Sequence, residues 1–301
     1  MSDRLIRATA ADGGIRAVGV ITTHLTERAR QLHELSFVAT SALGRAMAAG
    51  LLVVSNMKQA QSRVNIRFRG NGPLGGIFVD AGLDGTVRGY ADNPQADVPL
   101  NMWGKLDVGA AIGREGYLRV VRDVGYGYPY SSTTKLVTGE VGDDIANYLV
   151  ISEQTPSALL VGVYVEPDGV VAAGGLLLQI LPKAAEEPQL VDILEARISK
   201  LSGFTPLLRE GKSLPEIFQN LLGDIDLHIF PEVQPVRFDC KCNFKRMMGA
   251  LKMLGVDELR DMIEKDNGAE ATCHFCNSVY HASSDHLAHL IADLQAESTV
   301  Q

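Results

Sequence analysis

The chain has 301 residues, 46% of them apolar, and a formal net charge of -8. That length allows one large domain or two to three small ones around a sizeable core, and the acidic balance sets a field that repels nucleic acid and anionic membrane. The most apolar early stretch, residues 46–54, lies between Arg45 and Lys58, is far too short to span a bilayer, and reads as a core helix.

Residues 61–69 alternate with period two, placing Val64, Ile66 and Phe68 on one face and Arg63, Arg67 and Arg69 on the other, the pattern of a half-buried strand with an exposed arginine face. Turn residues at 70–73 lead into the apolar Ile77-Phe78-Val79, and Asp84-Gly85 marks another reversal, so a meander is expected. Residues 70–75 spell G-x-G-x-x-G, but Pro73 and the apolar run after it point to a strand where a dinucleotide site needs a helix; the motif reads as a plain turn. Trp103 is assigned no role beyond packing.

Thr134–Leu136 enters a helix within residues 138–151, where Val141, Ile145, Tyr148 and Leu149 recur at helical spacing and Glu140, Asp143 and Asp144 sit early, where the helix dipole favours acids. Ser157–Glu166 and Val170–Leu181 are apolar runs joined across Pro167-Asp168-Gly169, a hairpin whose two strands both read as central. The polar break at residues 183–188 marks a domain boundary. Beyond it, Leu190, Ile193, Leu194, Ile198 and Leu201 form one apolar stripe, and Leu214, Ile217, Phe218, Leu221 and Leu222 form another, opened by a capping box of Ser213 and Glu216. Helices this short need a neighbouring surface to cover.

From about Pro235 three short helices surround the cysteines. Asn243 is placed to cap the first (Phe244, Met247, Met248, Leu251, Leu254, ended by Gly255), Asp257 the second (Leu259, Met262, Ile263, up to Gly268) and Ser284 the third (Leu287, Leu290, Ile291, Leu294), with 292–301 read as a frayed tail. The fold class expected is α+β. An N-terminal mixed α/β domain (1–182) has β-sheets packed on helices, a helical linker follows (183–235), and a small C-terminal zinc-binding domain closes the chain (236–301).

All four cysteines belong to this last segment, as Cys240-Lys241-Cys242 and Cys273-His274-Phe275-Cys276. Two tight thiol pairs separated by thirty residues provide a tetrahedral sulfur shell for one zinc ion. The rival is a pair of disulfides; no secretory signal is visible after Met1, so a reducing cytosol is expected, which favours metal. A C-x-C disulfide closes a very small, strained ring, so the site has the character of a switch. Lys241, Lys245, Arg246, Lys252 and His274 lie near the thiolates in sequence, either offsetting their charge or simply forming a solvated face. His274 and His281 are not needed by a shell of four cysteines. Ser152-Glu153-Gln154 lacks a nucleophile elbow or a paired histidine, and no catalytic residue is assigned.

With these residues in place the chain resembles the heat shock protein 33 family of redox-regulated holdase chaperones, over nearly its whole length. The most specific part of the likeness is the C-x-C followed by C-x-x-C, supported by Tyr280. Gly139-Glu140, Ser152-Glu153-Gln154 with Ser157, and Ala173-Gly174-Gly175 through Gln179 and Pro182 look like family signatures. The resemblance implies a cytosolic, ATP-independent chaperone, not an enzyme, resting as a reduced monomer with one zinc on Cys240, Cys242, Cys273 and Cys276. It implies that oxidants form one disulfide between Cys240 and Cys242 and another between Cys273 and Cys276, release zinc, unfold the C-terminal module and loosen the linker. The oxidised form is then expected as a homodimer whose partners are unfolded client proteins, with no nucleic acid and no membrane. The surface so exposed would comprise Leu190, Ile193, Leu194, Ile198, Ile217, Phe218 and Leu221. Two rivals remain. A thiol-disulfide oxidoreductase would use Cys273 and Cys276, although residues 277–281 look like a short strand where that chemistry wants a helix. A zinc-dependent RNA or ribosome adaptor would bind in a salt-sensitive way.

Overall fold

The computed structural model describes residues 2–182, 188–199 and 203–299, which form two compact units divided between Asp239 and Cys240. In the first unit, β1 (Arg4–Ala10) and β2 (Ile15–Ile21) pair as an antiparallel hairpin, followed by α1 (Thr23–His33) and α2 (Phe37–Val54). Ser36 caps α2, its hydroxyl accepting the Ala39 N–H at 3.2 Å. With mean hydropathy 1.7 and 89% of its residues buried, α2 is the enclosed core helix expected around residues 46–54. The meander follows as β3 (Arg63–Arg69), β4 (Gly76–Gly82) and β5 (Thr86–Ala91), then α3 (Val108–Ile112), β6 (Tyr117–Asp123) and β7 (Tyr130–Lys135). α4 (Val141–Glu153) precedes the long hairpin of β8 (Ser157–Glu166) and β9 (Gly169–Ile180). Three helices, α5 (Pro188–Ile198), α6 (Phe204–Arg209) and α7 (Leu214–Leu222), and three short strands, β10 (His228–Ile229), β11 (Gln234–Pro235) and β12 (Arg237–Phe238), complete this unit.

One sheet has the order β10-β1-β2-β9-β8, with β11 also on β1; the other runs β12-β5-β4-β3-β6-β7. Helix α2 contacts both. A Cβ on Gly50 would stand 3.0 Å from Val79 of the second sheet, and one on Gly44 would stand 2.7 Å from Val163 of the first. Val64, Ile66 and Phe68 are buried as their alternation requires, while Arg63 and Arg69 on the other face pair with Asp80 at 2.8 Å and Asp92 at 2.7 Å. The arginine row is therefore partly neutralised within its own sheet.

Two expectations about this unit need correction. Strand β8 is not central: it forms the edge of its sheet. Its sequence reads as central because both faces are covered, Val163 against Gly44 of α2 and Gly162 against Thr205 of α6. Trp103 does not pack; it is 73% exposed.

Helices α5 to α7, expected as a linker, pack on the first sheet. Val18 and Val20 of β2 join the core around α2, whereas Ile15, Ala17 and Ile21 join a second cluster with Leu190, Leu194, Phe204, Leu214, Ile217, Phe218, Leu221 and Leu222. Ile193 is half-buried, and Ile198 packs against that cluster. Each fully covered side chain of this kind contributes about 1.5–3 kcal/mol to docking. The capping box of α7 is present, with the Glu216 carboxylate accepting the Ser213 N–H at 2.7 Å, and Arg197 of α5 donates to the Leu221 carbonyl of α7 at 2.6 Å. Leu201 and residues 183–187, parts of the expected stripe and break, lie outside the described residues. Val236 is buried in the first unit's core and Arg237–Phe238 pairs with β5, so the second unit starts at Cys240, later than the expected 236.

The second unit comprises α8 (Phe244–Lys252), α9 (Val256–Asp266), the hairpin β13 (Gly268–Thr272) with β14 (Val279–Ser283), and α10 (Ser284–Thr299). Three local expectations shift. Asp257 lies inside the first turn of α9, and Gly255, at φ 89°, takes the capping position. Ser283, one residue before the expected Ser284, starts α10: its hydroxyl accepts the His286 N–H at 3.4 Å while His286 Nδ1 accepts the Ser283 N–H at 3.2 Å, a reciprocal cap built with histidine. Residues 292–299 are helical instead of frayed, with Lys252 and Glu297 paired at 2.5 Å; residues 300–301 lie outside the described residues.

Candidate metal centre

The two cysteine pairs are held by different local devices. Cys240 and Cys242 directly precede α8, whose start is fixed when Asn243 Oδ1 accepts the Arg246 N–H at 2.9 Å, the cap the sequence indicates. Cys273 and Cys276 occupy the loop between β13 and β14, whose last ladder pair is Thr272 with Val279. There the Cys273 N–H donates to the Ser278 carbonyl at 2.9 Å, and the Cys276 and Asn277 N–H groups turn back to the Cys273 carbonyl at 3.3 and 2.8 Å. Asn277 takes a left-handed conformation, φ 54°, which asparagine tolerates better than most residues.

These devices bring all four Sγ atoms within 4.8 Å of one another, every residue half-buried. Cys240 and Cys273 sulfurs are 3.7 Å apart and those of Cys242 and Cys276 are 3.2 Å apart. Zinc with four bonds to sulfur of about 2.3 Å needs sulfurs roughly 3.8 Å apart, so the donor set, its number and its spacing suit that ion. The four sulfurs also carry an electrostatic problem that a cation solves. Burial pushes the Cys242 thiol up to about 12, with the other thiols adding to the rise, and Cys273 shifts upward for the same first reason. At Cys276 burial is outweighed by the Ser278 hydroxyl and backbone and by neighbouring thiols, which bring it down to about 7. Burial therefore works against the thiolate form of Cys242 and Cys273, and a nearby positive charge would offset it.

Tyr280 of β14 places its hydroxyl 3.1 Å from Cys242 Sγ, and that contact pushes the phenol up to about 12, so it stays protonated and is able to donate to a thiolate there. Such an outer partner orients a ligand. Sequence reasoning marked Tyr280 only as part of a resemblance; the alternation of β14 could have placed it on the face of the loop's cysteines. Among the expected neighbouring cations, Lys252 is engaged with Glu297 and Arg246 donates to the Lys241 carbonyl at 3.3 Å. His281 Nδ1 lies 3.4 Å from Glu270 across the hairpin.

The other signature residues act within the first unit's architecture. Glu140 pairs with Arg45 at 2.6 Å; Glu153 accepts the Tyr148 hydroxyl at 2.6 Å and pairs with Arg122; Gln179 links Ser157 at 3.1 Å to Asn56 at 2.7 Å.

An α+β unit built around one buried helix, followed in the chain by a small unit whose four cysteines cluster at metal-binding distance, defines a protein with a candidate four-thiol metal centre. The family described as Hsp33 protein matches residues 3–283. The "33 kDa chaperonin" of Rippkaea orientalis is 70% identical over 298 residues, covering 99% of each chain. That of Synechocystis sp. is 69% identical over 297 residues, covering 99% of this chain and 98% of its own. The crystal structure of the 33 kDa chaperonin (heat shock protein 33 homolog) from Thermotoga maritima superimposes with a TM-score of 0.90 at 35% identity, covering 98% of this chain and all of that one. The chain belongs to the Hsp33 family.

Proposed function

We propose that this Hsp33-family chaperone is a redox-regulated, ATP-independent holdase, held inactive while Cys240, Cys242, Cys273 and Cys276 bind one zinc ion. The observation that carries the reading is the convergence of four half-buried sulfurs within 4.8 Å in a unit with a thin apolar core. When bound, zinc supplies the positive charge that keeps the sulfurs as thiolates and much of the unit's folding free energy. Tyr280 orients Cys242, and the turn at Cys273–Asn277 holds the second pair.

Each cysteine pair, Cys240 with Cys242 and Cys273 with Cys276, held as thiolates, gives up two electrons to hydrogen peroxide, which takes two protons from solvent and becomes two waters, and closes one S–S bond. Disulfide sulfurs are no longer thiolate donors, so the second unit loses the interaction that folds it. Release of α5 and α7 then uncovers Leu190, Ile193, Leu194, Ile198, Ile217, Phe218 and Leu221 for unfolded clients. The working compartment is a reducing cytosol, where the thiol form persists until oxidant arrives; the resting form is a monomer and the oxidised form a homodimer.

Light scattering from a chemically unfolded client tests this, with reduced and peroxide-treated protein and no ATP. Suppression of aggregation only after oxidation is expected. Equal suppression by both forms, or none by either, overturns the reading, and catalysed disulfide exchange on a small substrate would favour the oxidoreductase instead.

A further inference from the structure

The first unit contains a cavity of about 520 Å³, within the size range of small-molecule sites, that the switch leaves unused. It lies between α2, strand β8, α6 and the segment 100–106. In a chain with 36 acidic and 28 basic residues, its described lining holds Arg45, Lys105 and Arg209 and no carboxylate. Two of its lining residues present buried polar atoms without a partner, Ser41 Oγ and Arg45 Nε. Glu140 answers only one side of the Arg45 guanidinium, at 2.6 Å, and burial lowers that group's pKa despite the pairing. Arg209 stacks over the Tyr164 ring at 3.8 Å, which presents its planar fork at a fixed place. The remaining walls are mainly apolar, with Leu106, Val163 and Phe204 among them.

We propose that this cavity binds a small organic anion, a phosphoryl or carboxyl head on an apolar body, whose charge bridges Arg45 and Lys105 to Arg209. Because Arg209 belongs to α6 while Arg45 belongs to α2, the bound anion favours the docked position of α6 over any released one. Its consequence for activation, a delayed response to oxidant, rests on the linker reading above.

The test uses the reduced, zinc-loaded full chain. Phenyl phosphate and benzoate are titrated calorimetrically, with phenol as the uncharged control, and hydrogen exchange is followed at residues 204–209. At least one anion is expected to bind saturably and, at ten times its Kd, to slow exchange in α6 about tenfold. Lys105→Ala and Arg209→Ala are each expected to weaken it about tenfold. Lys105 is exposed and outside α6, so its variant separates loss of charge from loss of helix docking. Binding of neither anion, equal binding of phenol, or affinity unchanged in Lys105→Ala overturns the proposal. Since every reading is taken before oxidation, failure of the redox switch would leave this result standing, and the reverse.

Discussion

The two units solve the problem of a stable core in opposite ways. The first encloses α2 between two sheets and adds a second apolar cluster under α5 to α7, whereas among the described residues the buried apolar cluster of the second is Met247, Leu251, Leu259, Ala282, Leu287 and Leu290. A cluster that small leaves a folded chain marginal. Structural zinc in small domains binds with about 10–16 kcal/mol in apparent terms, more than such a core supplies. On the proposed reading the contrast teaches where a chemical signal would act: an oxidant that changes four sulfurs would remove the larger part of one unit's stability and little of the other's.

The largest expected effect removes a ligand. Cys242→Ser takes away a thiolate and the acceptor of the Tyr280 hydroxyl together, so bound zinc should fall well below one per chain and the second unit should lose cooperative unfolding. Metal analysis with circular dichroism reads both, and a variant retaining full zinc with an unchanged melt would break the contrast.

Next comes the docking of α7. Phe218 is fully buried, so Phe218→Ser should weaken docking by about 3 kcal/mol or more, shifting the docked population about a hundredfold. Such a protein should suppress client aggregation while still reduced and zinc-bound. If it waits for oxidant as the unsubstituted protein does, α7 is not what holds activity off.

Tyr280→Phe sharpens the account of the centre, since losing an outer-shell partner lowers metal affinity by about 10- to 100-fold without removing a ligand. Competition with a zinc-binding dye measures it. The smallest effect is that of Asn243→Ala, which deletes the α8 cap and should cost the second unit about 1 kcal/mol, visible as a lower midpoint of its own thermal transition with the first unit's unchanged.

The sequence made legible whatever rests on short spacing. The period of two in β3, the stripe of α4, the capping box of α7 and the tightness of each cysteine pair are all specified within a few residues. Less legible was anything decided by a distant neighbour. β8 reads as central because α2 and α6 cover it from remote parts of the chain, and β10 to β12, two residues each, are too short to show a period. The stripes of α5 and α7 announced a need for cover but not that the first sheet supplies it. At the centre, the four-cysteine cluster was readable and the Tyr280 contact was not, because it depends on the register of β14 against the cysteine loop.

The most direct measurement is hydrogen exchange across the whole chain before and after a strong chelator is added to reduced protein. The account predicts that amides from 240 to 299 lose protection together while the buried strands β2, β4 and β9 keep theirs. Equal protection of residues 240–299 with and without the ion would contradict it, because the second unit would then have a core sufficient by itself.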